Sequence, residues 1–302
     1  MGARVKVTAV VLNWRRPDDT IACVRSVQDT APGVEIIVVD NASRNGSIER
    51  LRSELDGVTL IENEENLGYA GGNNVGVRAA PDADAVLILN NDVTLRPRCV
   101  EQLVLAAEAD PQPAIRAPLS LSAEDPGTID FFRARVDLRN VALLAEGRGE
   151  ARSTVFATDP VRTDYATGSA LLVDRALLGD GPFDERFFLV WEDVDLCVRA
   201  RGAIVVPAAE VLHRGGVSFG EERNASPLYQ YCFVRNSFLV VRKHVGWPFR
   251  TGTLRRIETR YRGWVEQAAP DVAAAIALGI EHGLAGRYGP PPPELLPASA
   301  AG

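Results

Sequence analysis

The sequence predicts an α/β protein with a mostly parallel central sheet flanked by helices and a helical C-terminal region. Over the first 120 residues, short apolar runs rich in β-branched residues alternate with helix-like segments. These runs are continuous, which is typical of strands buried on both faces of a parallel sheet with helical crossovers. The last hundred residues are increasingly helical in pattern. In such sheets, ligands bind at the carboxyl ends of the strands.

The elements follow in chain order. The pattern predicts strands at 5–12, 35–39, 58–61 and 85–89, and helices that begin at Pro17 and lie around 48–55, 67–80 and 97–109. Periodicity fades over 119–160, where we expect loops, less regular strands and acceptor contacts. It returns with a strand at 168–173, a helix at 191–201, a strand at 203–206 and helices at 227–244, 253–267 and 271–284. The proline run 290–293 ends the helices and predicts a flexible tail over 289–302.

The composition excludes several function classes. The chain has 302 residues, 46% of them hydrophobic, and a net charge of −7. That charge disfavours nucleic acid as a partner, because polyanions bind concentrated Lys and Arg. The four cysteines lack Cys-x-x-Cys spacing, which predicts reduced, buried thiols.

No run approaches the roughly 20 apolar residues of a membrane span, and the first strand begins too early for a secretory leader. We therefore expect a cytoplasmic protein without a transmembrane segment. Residues 253–267 carry four arginines interspersed with Glu258 and Glu266. This mixture favours a solvated helix face, with peripheral contact to a membrane as the alternative.

Two polar segments follow early strands. Asp40 and Asn41 come after the second strand, where they either bind a nucleobase or ribose or form a turn that caps the next helix. The run from Asn66 to Asn74 contains Gly68 and Asn73, and its glycines suit either close approach to a ligand or helix packing. No glycine follows the first strand, which disfavours a dinucleotide-binding enzyme.

The later part of the chain supplies acidic residues and a histidine. Asn90, Asn91 and Asp92 end a strand and offer the oxygen ligands that Mg²⁺ or Mn²⁺ prefers. His213 follows a strand-like segment and is a candidate to complete the shell of such an ion. Glu192 and Asp193 lie at a helix N-terminus, where the dipole alone favours acids. The apolar run 187–191 before them indicates a water-poor pocket for a general base.

Taken in order, these segments resemble the family 2 glycosyltransferases. They are Val39-Asp40-Asn41-Ala42-Ser43, the run from Glu65 to Asn73, Leu89-Asn90-Asn91-Asp92, Trp191-Glu192-Asp193-Val194-Asp195, and His213. The chain is most similar to the rhamnosyltransferase and galactofuranosyltransferase-like branch, over about residues 5–245.

The resemblance implies a GT-A fold and an inverting transfer from a nucleoside-diphosphate sugar, assisted by Mg²⁺ or Mn²⁺. Residues 1–120 would form the nucleotide-sugar-binding half, 121–250 the acceptor-binding and catalytic half, and 251–288 the C-terminal helices. The acceptor would be a hydroxyl of a saccharide, a lipid-linked molecule or a small molecule. The resemblance leaves open whether the protein forms a homo-oligomer.

The resemblance also implies roles for individual residues. Asp193 would be the general base, and Asp92 and His213 would hold the metal. Donor contacts would come from Asp40, Asn41, Gly68, Asn73, Asn90 and Asn91. Contacts to the acceptor or the diphosphate would come from Trp191, Glu192, Arg235 and Asn236.

The sequence departs from the family pattern at the metal motif. Asn-Asn-Asp stands where the family has Asp-x-Asp, so metal dependence is a hypothesis. Asn90 in place of an acid near the ribose favours a dTDP-sugar over a UDP-sugar. Two alternatives stay open. One is a sugar-phosphate nucleotidyltransferase, against which the glycine-free junction 12–17 counts, and the other is a catalytically silent nucleotide-sugar-binding module.

Overall fold

The computed structural model describes residues 5–155, 159–215 and 226–296. Its strands are β1 Val7–Asn13, β2 Glu35–Asp40, β3 Thr59–Glu62, β4 Ala85–Asn90, β5 Val93–Leu95, β6 Ile115–Ser122, β7 Ile129–Phe131, β8 Arg133–Asp137, β9 Ala142–Glu146, β10 Val161–Thr163, β11 Ala170–Asp174 and β12 Ala203–His213. Its helices are α1 Pro17–Thr30, α2 Ser47–Glu54, α3 Gly68–Arg78, α4 Cys99–Ala109, α5 Arg175–Leu178, α6 Glu192–Arg199, α7 Pro227–His244, α8 Phe249–Val265 and α9 Pro270–Ala285.

One mixed, mostly parallel sheet runs through both halves of the chain. Its strand order is β10-β12-β6-β11-β4-β1-β2-β3. The strands β3, β2, β1 and β4 are parallel, β11 is antiparallel to β4 and β6, and β12 is again parallel to β6. The predicted parallel sheet of the first 120 residues is therefore confirmed, and the later strands extend it. Strands β8 and β9 form a separate hairpin.

Apolar residues on the two faces of the sheet pack into separate cores. Alternate residues of β1 show this, because Val10 joins the core that includes α3, α6 and α7, whereas Ala9 and Val11 join the core beneath α1, α2 and α4. A strand that is buried on both faces has a continuous run of apolar residues in its sequence. All four cysteines are buried free thiols, as predicted. Among the described residues, no helix has the length and apolarity that crossing a membrane requires.

The prediction did not include β5, β6 or β10, and it ended β12 too early. Strand β6 lies inside the sheet although its sequence contains Arg116 and Pro118, which hide the strand pattern. The buried Arg116 guanidinium pairs with Asp174 and with the carbonyl of Asp110, so its charge is compensated. Strand β12 continues to His213 through an irregularity between Val206 and Glu210, well beyond the predicted end at residue 206.

The predicted flexible tail is wrong for residues 289–296. The Gly289 carbonyl accepts a hydrogen bond from Arg235 Nη1 at 2.6 Å, and a 3-10 helix spans Pro293–Leu295. Leu295 and Leu296 pack against a cluster that contains Phe188 and Tyr231. This segment therefore has apolar contacts that its proline-rich sequence did not indicate. Residues 297–302 lie outside the described part of the chain.

Candidate active site

A cavity of about 920 Å³ lies where β1, β2 and β4 end. Trp14, Asn41 and Asp92 follow these parallel strands and line it, because parallel strands bring their carboxyl ends to one edge of the sheet. The other walls come from residues after position 120, including Asp193 and His213. The structure therefore brings the proposed metal ligands and the proposed base to the same cavity.

Asp92 and His213 are neighbours because β12 pairs with β5. His213 is opposite Val93 in this antiparallel pair, and its Nε2 lies 3.4 Å from Asp92 Oδ1. The other ring nitrogen, Nδ1, lies 2.7 Å from Asp130 Oδ2, which also accepts a hydrogen bond from Ser120 Oγ. A carboxylate that binds the far nitrogen of a histidine fixes the ring orientation and its tautomer. Asp130 therefore orients His213 toward Asp92.

The charges around His213 determine its protonation. Burial alone lowers the pKa of this imidazole, but hydrogen bonds and charge from Asp130 and Asp92 outweigh burial and raise the pKa to about 9. The same contact, set against burial, leaves the pKa of Asp130 below its usual value. The two neighbouring carboxylates therefore favour the protonated form of His213.

The oxygens at this end of the cavity fit a divalent cation. Asn90 Oδ1 is buried and has no hydrogen-bond partner among the described residues, and the buried Asp92 Oδ1 has only its 3.4 Å contact with His213 Nε2. Carboxylate and amide oxygens are ligands that Mg²⁺ and Mn²⁺ prefer. Within the described ranges, no group of three His, Cys, Asp or Glu side chains is arranged to hold an ion. The residues therefore fit an ion only if its remaining ligands would come from a bound molecule.

Asp193 is half-buried, and its carboxylate is held by three hydrogen bonds. Its Oδ2 accepts hydrogen bonds from Tyr165 Oη at 2.7 Å and from the Gly168 amide at 3.0 Å, and its Oδ1 accepts from the Val194 amide at 2.8 Å. Burial raises the pKa of Asp193, and these hydrogen bonds offset part of that rise. Asp193 is thus a carboxylate of increased basicity with a fixed orientation, which suits a general base.

Glu192 lies beside Asp193 in a drier position. Its side chain is buried and its Oε2 has no hydrogen-bond partner among the described residues. Burial raises the pKa of Glu192 well above the usual range, and the charges of Asp193 and Asp195 raise it further. Glu192 therefore favours its protonated form, in which it can donate a hydrogen bond into the cavity.

The predicted donor residues divide into two groups. Asn41, Gly68, Asn90 and Asn91 line the cavity. Asp40 and Asn73 do not line it, and both are fully buried.

Asp40 and the glycines serve the frame of the site. Asp40 accepts hydrogen bonds from Asn13 Nδ2 and from the amide and hydroxyl of Ser43, which favours the turn interpretation. Gly68 has a φ of +70°, and a Cβ there would overlap the Phe188 carbonyl. Its close approach is therefore to another part of the chain.

The predicted acceptor or diphosphate contacts also divide. Trp191 and Glu192 line the cavity, and Trp191 Nε1 donates to the Phe233 carbonyl at 3.1 Å. Arg235 and Asn236 do not line it, because α7 turns both side chains into the protein interior. Both donate to backbone carbonyls of residues 187–190. Their position does not support direct contact with a substrate.

Sequence reasoning missed Asp130, Tyr165 and Ser169. All three line the cavity, and the Ser169 hydroxyl is buried without a partner among the described residues. Asp130 lies 83 positions from His213 in a region of faded periodicity, so no local pattern linked the two residues. Ser169 follows Gly168 and Tyr165 lies three residues before it. This glycine before an apolar strand was the available signal for a close backbone approach.

Comparisons with known proteins agree with this geometry. A family model described as "Glycosyl transferase family 2" matches residues 8–118. The chain is 30% identical over 243 residues to the N-acetylglucosaminyl-diphospho-decaprenol L-rhamnosyltransferase of Mycobacterium tuberculosis, covering 71% of this chain and 76% of that protein. It is 24% identical over 308 residues to the low-salt glycan biosynthesis hexosyltransferase Agl10 of Haloferax volcanii, covering 94% and 93%.

Solved structures share the fold. GalNAc-T7 with UDP, GalNAc and Mn²⁺ superposes with a TM-score of 0.60 at 16% identity, over 94% of this chain and 57% of that chain. The mannosyltransferase PcManGT of Pyrobaculum calidifontis, in complex with GDP-Man and Mn²⁺, gives a TM-score of 0.53 at 16% identity, over 94% and 88%. At these identities the likeness shows the architecture alone.

Proposed function

The chain belongs to glycosyl transferase family 2 and has the GT-A fold, and on this premise we propose that it is an inverting glycosyltransferase that moves a sugar from a dTDP- or UDP-sugar to an acceptor hydroxyl. The observation that carries the proposal is the single cavity lined by Asp92, Asp193 and His213. A transferase of this type needs an anion-binding end for the leaving diphosphate and a base at the acceptor. The cavity offers candidates for both.

We propose that residues 1–120 hold the donor and residues 121–250 hold the acceptor. The proposed donor contacts are Asn41, Gly68, Asn90 and Asn91, which line the cavity. Asp40 and Asn73 are buried and are proposed to stabilise the backbone that carries these contacts. Asn90 presents an amide where a carboxylate would favour ribose hydroxyls, so we propose that a dTDP-sugar is preferred. Titration calorimetry with dTDP and UDP tests this preference, and tighter binding of UDP would contradict it.

We propose that Asp92 and His213 hold Mg²⁺ or Mn²⁺ together with the donor diphosphate. When bound, the ion supplies positive charge that offsets the charge growing on the departing diphosphate. Asp130 keeps the imidazole directed at this position. Two of the similar solved structures contain Mn²⁺, which supports the proposal. Turnover that is unchanged after exhaustive chelation would contradict it.

At the acceptor end, Asp193 is the proposed general base. Its carboxylate takes the proton from the acceptor hydroxyl while the hydroxyl oxygen forms a bond to the anomeric carbon. The bond from that carbon to the diphosphate breaks on the opposite face, so a single displacement inverts the centre. Tyr165 and the Gly168 amide hold the carboxylate in place throughout. General base assistance typically contributes about 10²–10⁴-fold.

The decisive experiment is release of nucleoside diphosphate from a panel of dTDP- and UDP-sugars, with and without Mn²⁺. We expect release from one donor, and we expect Asp193→Asn to lower it about 10²–10⁴-fold without weakening nucleotide binding. An Asp193→Asn protein with full turnover would refute the assignment of the base. Product of retained anomeric configuration, measured by NMR, would refute inversion.

The alternatives have distinct readouts. Pyrophosphate release in place of diphosphate release would identify a nucleotidyltransferase, although no glycine-rich basic loop follows β1. Binding of dTDP or UDP without any release would identify a silent binding module.

We further propose a cytoplasmic protein that docks peripherally on anionic membranes through α8. This helix carries five arginines and one glutamate, and Trp247 just before it is 90% exposed. Cationic side chains beside an exposed tryptophan are typical of segments that bind the membrane interface. Co-sedimentation with phosphatidylglycerol vesicles should fall with Arg256→Glu and stay unchanged with Arg52→Glu on α2. Equal sedimentation of the wild type, Arg256→Glu and Arg52→Glu would contradict docking through α8.

A further inference from the structure

The turn that leads into α6 has an unusual backbone. Phe188, Val190 and Trp191 have φ angles of 63°, 70° and 76°, although none of them is glycine. Side chains disfavour this region, and a β-branched residue such as Val190 is a marked outlier there. Such a conformation persists only where surrounding groups hold it, and it is most frequent at functional sites. Asp193 follows this turn directly.

Asn236 on α7 holds the turn from inside the protein. Its Nδ2 lies 2.8 Å from the Phe187 carbonyl, 2.7 Å from that of Leu189 and 2.9 Å from that of Val190. One NH2 group, with two hydrogens, thus lies within hydrogen-bond distance of three carbonyls of the same turn. The opposite side of the turn faces the cavity through Leu189, Val190 and Trp191.

Asn236 is itself anchored. Its Oδ1 accepts from Arg235 Nε at 2.9 Å, and Arg235 also donates to the Phe187 carbonyl at 3.0 Å and to the Gly289 carbonyl at 2.6 Å. Both side chains are buried, at 0% exposure for Asn236 and 1% for Arg235. Through its bonds to the Phe187 and Gly289 carbonyls, Arg235 links the turn to the C-terminal segment that begins at Gly289.

We propose that Asn236 is a positioning residue for catalysis, which sets the backbone of residues 187–191 and thereby the direction in which the Asp193 carboxylate faces the acceptor hydroxyl. This inference rests on the proposed role of Asp193 as the base. Asn236 does not line the cavity. It acts because a base must lie within hydrogen-bond reach of the proton it removes, and a displacement of about 1 Å can cost about 10²-fold in rate.

The test compares two buried asparagines. Asn74, at 2% exposure, donates from Nδ2 to the Phe183 carbonyl at 2.9 Å and accepts from the Phe183 amide at 3.1 Å, so it fixes backbone outside the turn. Asn236→Ala and Asn74→Ala remove the same buried amide and the same volume. Both variants are made in the full chain, and circular dichroism checks that each is folded. Folded variants are then assayed with the nucleotide sugar that gives most diphosphate release.

We expect Asn236→Ala to lower kcat about 10- to 100-fold with unchanged affinity for dTDP and UDP by calorimetry. Asn74→Ala should lower the melting temperature and leave kcat near that of the wild type. Should Asn236→Ala fail to fold, Arg235→Lys removes the Nε bond to Asn236 and should lower kcat in the same direction. A wild-type kcat in the folded Asn236 variant, an equal loss in Asn74→Ala, or a parallel loss of nucleotide affinity would overturn the inference.

Asp193→Asn separates this failure from failure of the proposed function. If Asp193→Asn is inactive while folded Asn236→Ala turns over normally, the base assignment stands and only the positioning role is wrong. If Asp193→Asn is fully active, the premise itself is wrong.

Discussion

Gly68 lies against Phe188 in the turn 187–191 that leads into α6, and replacing Gly68 tests that contact. In Gly68→Ala the new Cβ would overlap the Phe188 carbonyl and lie 2.6 Å from Phe188 Cγ. The Ala70 amide, two residues further along α3, donates to the same carbonyl at 3.1 Å. The overlap is with backbone, so a side-chain rotation alone cannot relieve it. The turn must move away from α3.

Gly57 supplies the matched control. Its φ is +70°, equal to that of Gly68, but a Cβ there would meet nothing within 4 Å. A left-handed conformation costs an alanine about 1–2 kcal/mol. Overpacking against a fixed neighbour adds about 1–3 kcal/mol. We therefore expect a loss of unfolding free energy of about 1–2 kcal/mol for Gly57→Ala and about 2–5 kcal/mol for Gly68→Ala.

Urea unfolding of both variants measures the stability, and diphosphate release measures kcat. The extra loss in Gly68→Ala should be accompanied by a reduced kcat, because the displaced turn leads into α6, which carries Asp193. Gly57→Ala should retain the wild-type kcat. Equal stability losses in the two variants, or a normal kcat in Gly68→Ala, would refute the reasoning that α3 supports the catalytic turn.

Three further predictions concern the charged groups of the cavity. Burial raises the pKa of Asp193, so kcat should fall as pH drops through a value above the usual range of aspartate. Tyr165→Phe removes a hydrogen bond that lowers this pKa, so the acid limb of its kcat–pH profile should lie at higher pH than that of the wild type, and an unmoved limb would contradict this. Glu192 has a raised pKa in the folded state, so its ionised form destabilises the fold at high pH. Glu192→Gln should therefore raise the unfolding free energy at high pH and not at low pH, and a gain that is independent of pH would contradict this explanation. Asp130→Asn should weaken Mn²⁺ binding in the presence of dTDP or UDP about 10- to 100-fold by calorimetry, because it loosens the orientation of His213, and undiminished binding would argue against that role.

Much of the donor half was predictable because its signals are local. Each strand from β1 to β4 is a short apolar run, and polar residues follow at the strand ends. Parallel pairing then brings Asn41 and Asp92 to one edge of the sheet, so their shared cavity follows from the topology. The prediction that Asp92, Asp193 and His213 line one cavity depended on a longer motif set, and the structure places all three there.

The second half resisted prediction where the stabilising contacts are long-range. Strand β6 contains Arg116, whose charge is tolerated in the interior because Asp174 pairs with it from 58 residues away. The 289–296 segment looked like a solvated tail because its prolines cannot continue a helix, yet its order depends on Arg235 and on apolar contacts with Phe188. No single-sequence pattern reports partners at such separations.

The acidic run at the start of α6 shows why a motif that appears to be one cluster can have two roles. Residues two apart on a helix lie on nearly opposite faces, so Asp193 and Asp195 cannot share a site. Asp193 lines the cavity, whereas the fully buried Asp195 accepts from Lys243 Nζ at 2.6 Å, His244 Nε2 at 2.7 Å and Arg199 Nε at 2.9 Å. These partners keep the pKa of Asp195 below its usual value despite burial.

Lys243 and His244 end α7, the helix that carries Asn236. Helix α7 therefore holds the catalytic segment at two points, through the turn before α6 and through the body of α6. The carboxylate with the stronger ion pairs fixes the helix, and the carboxylate left with raised basicity faces the cavity. The same helix N-terminus thus separates an acid held in ion pairs from an acid that faces the cavity, and both lie on a helix that packs against α7.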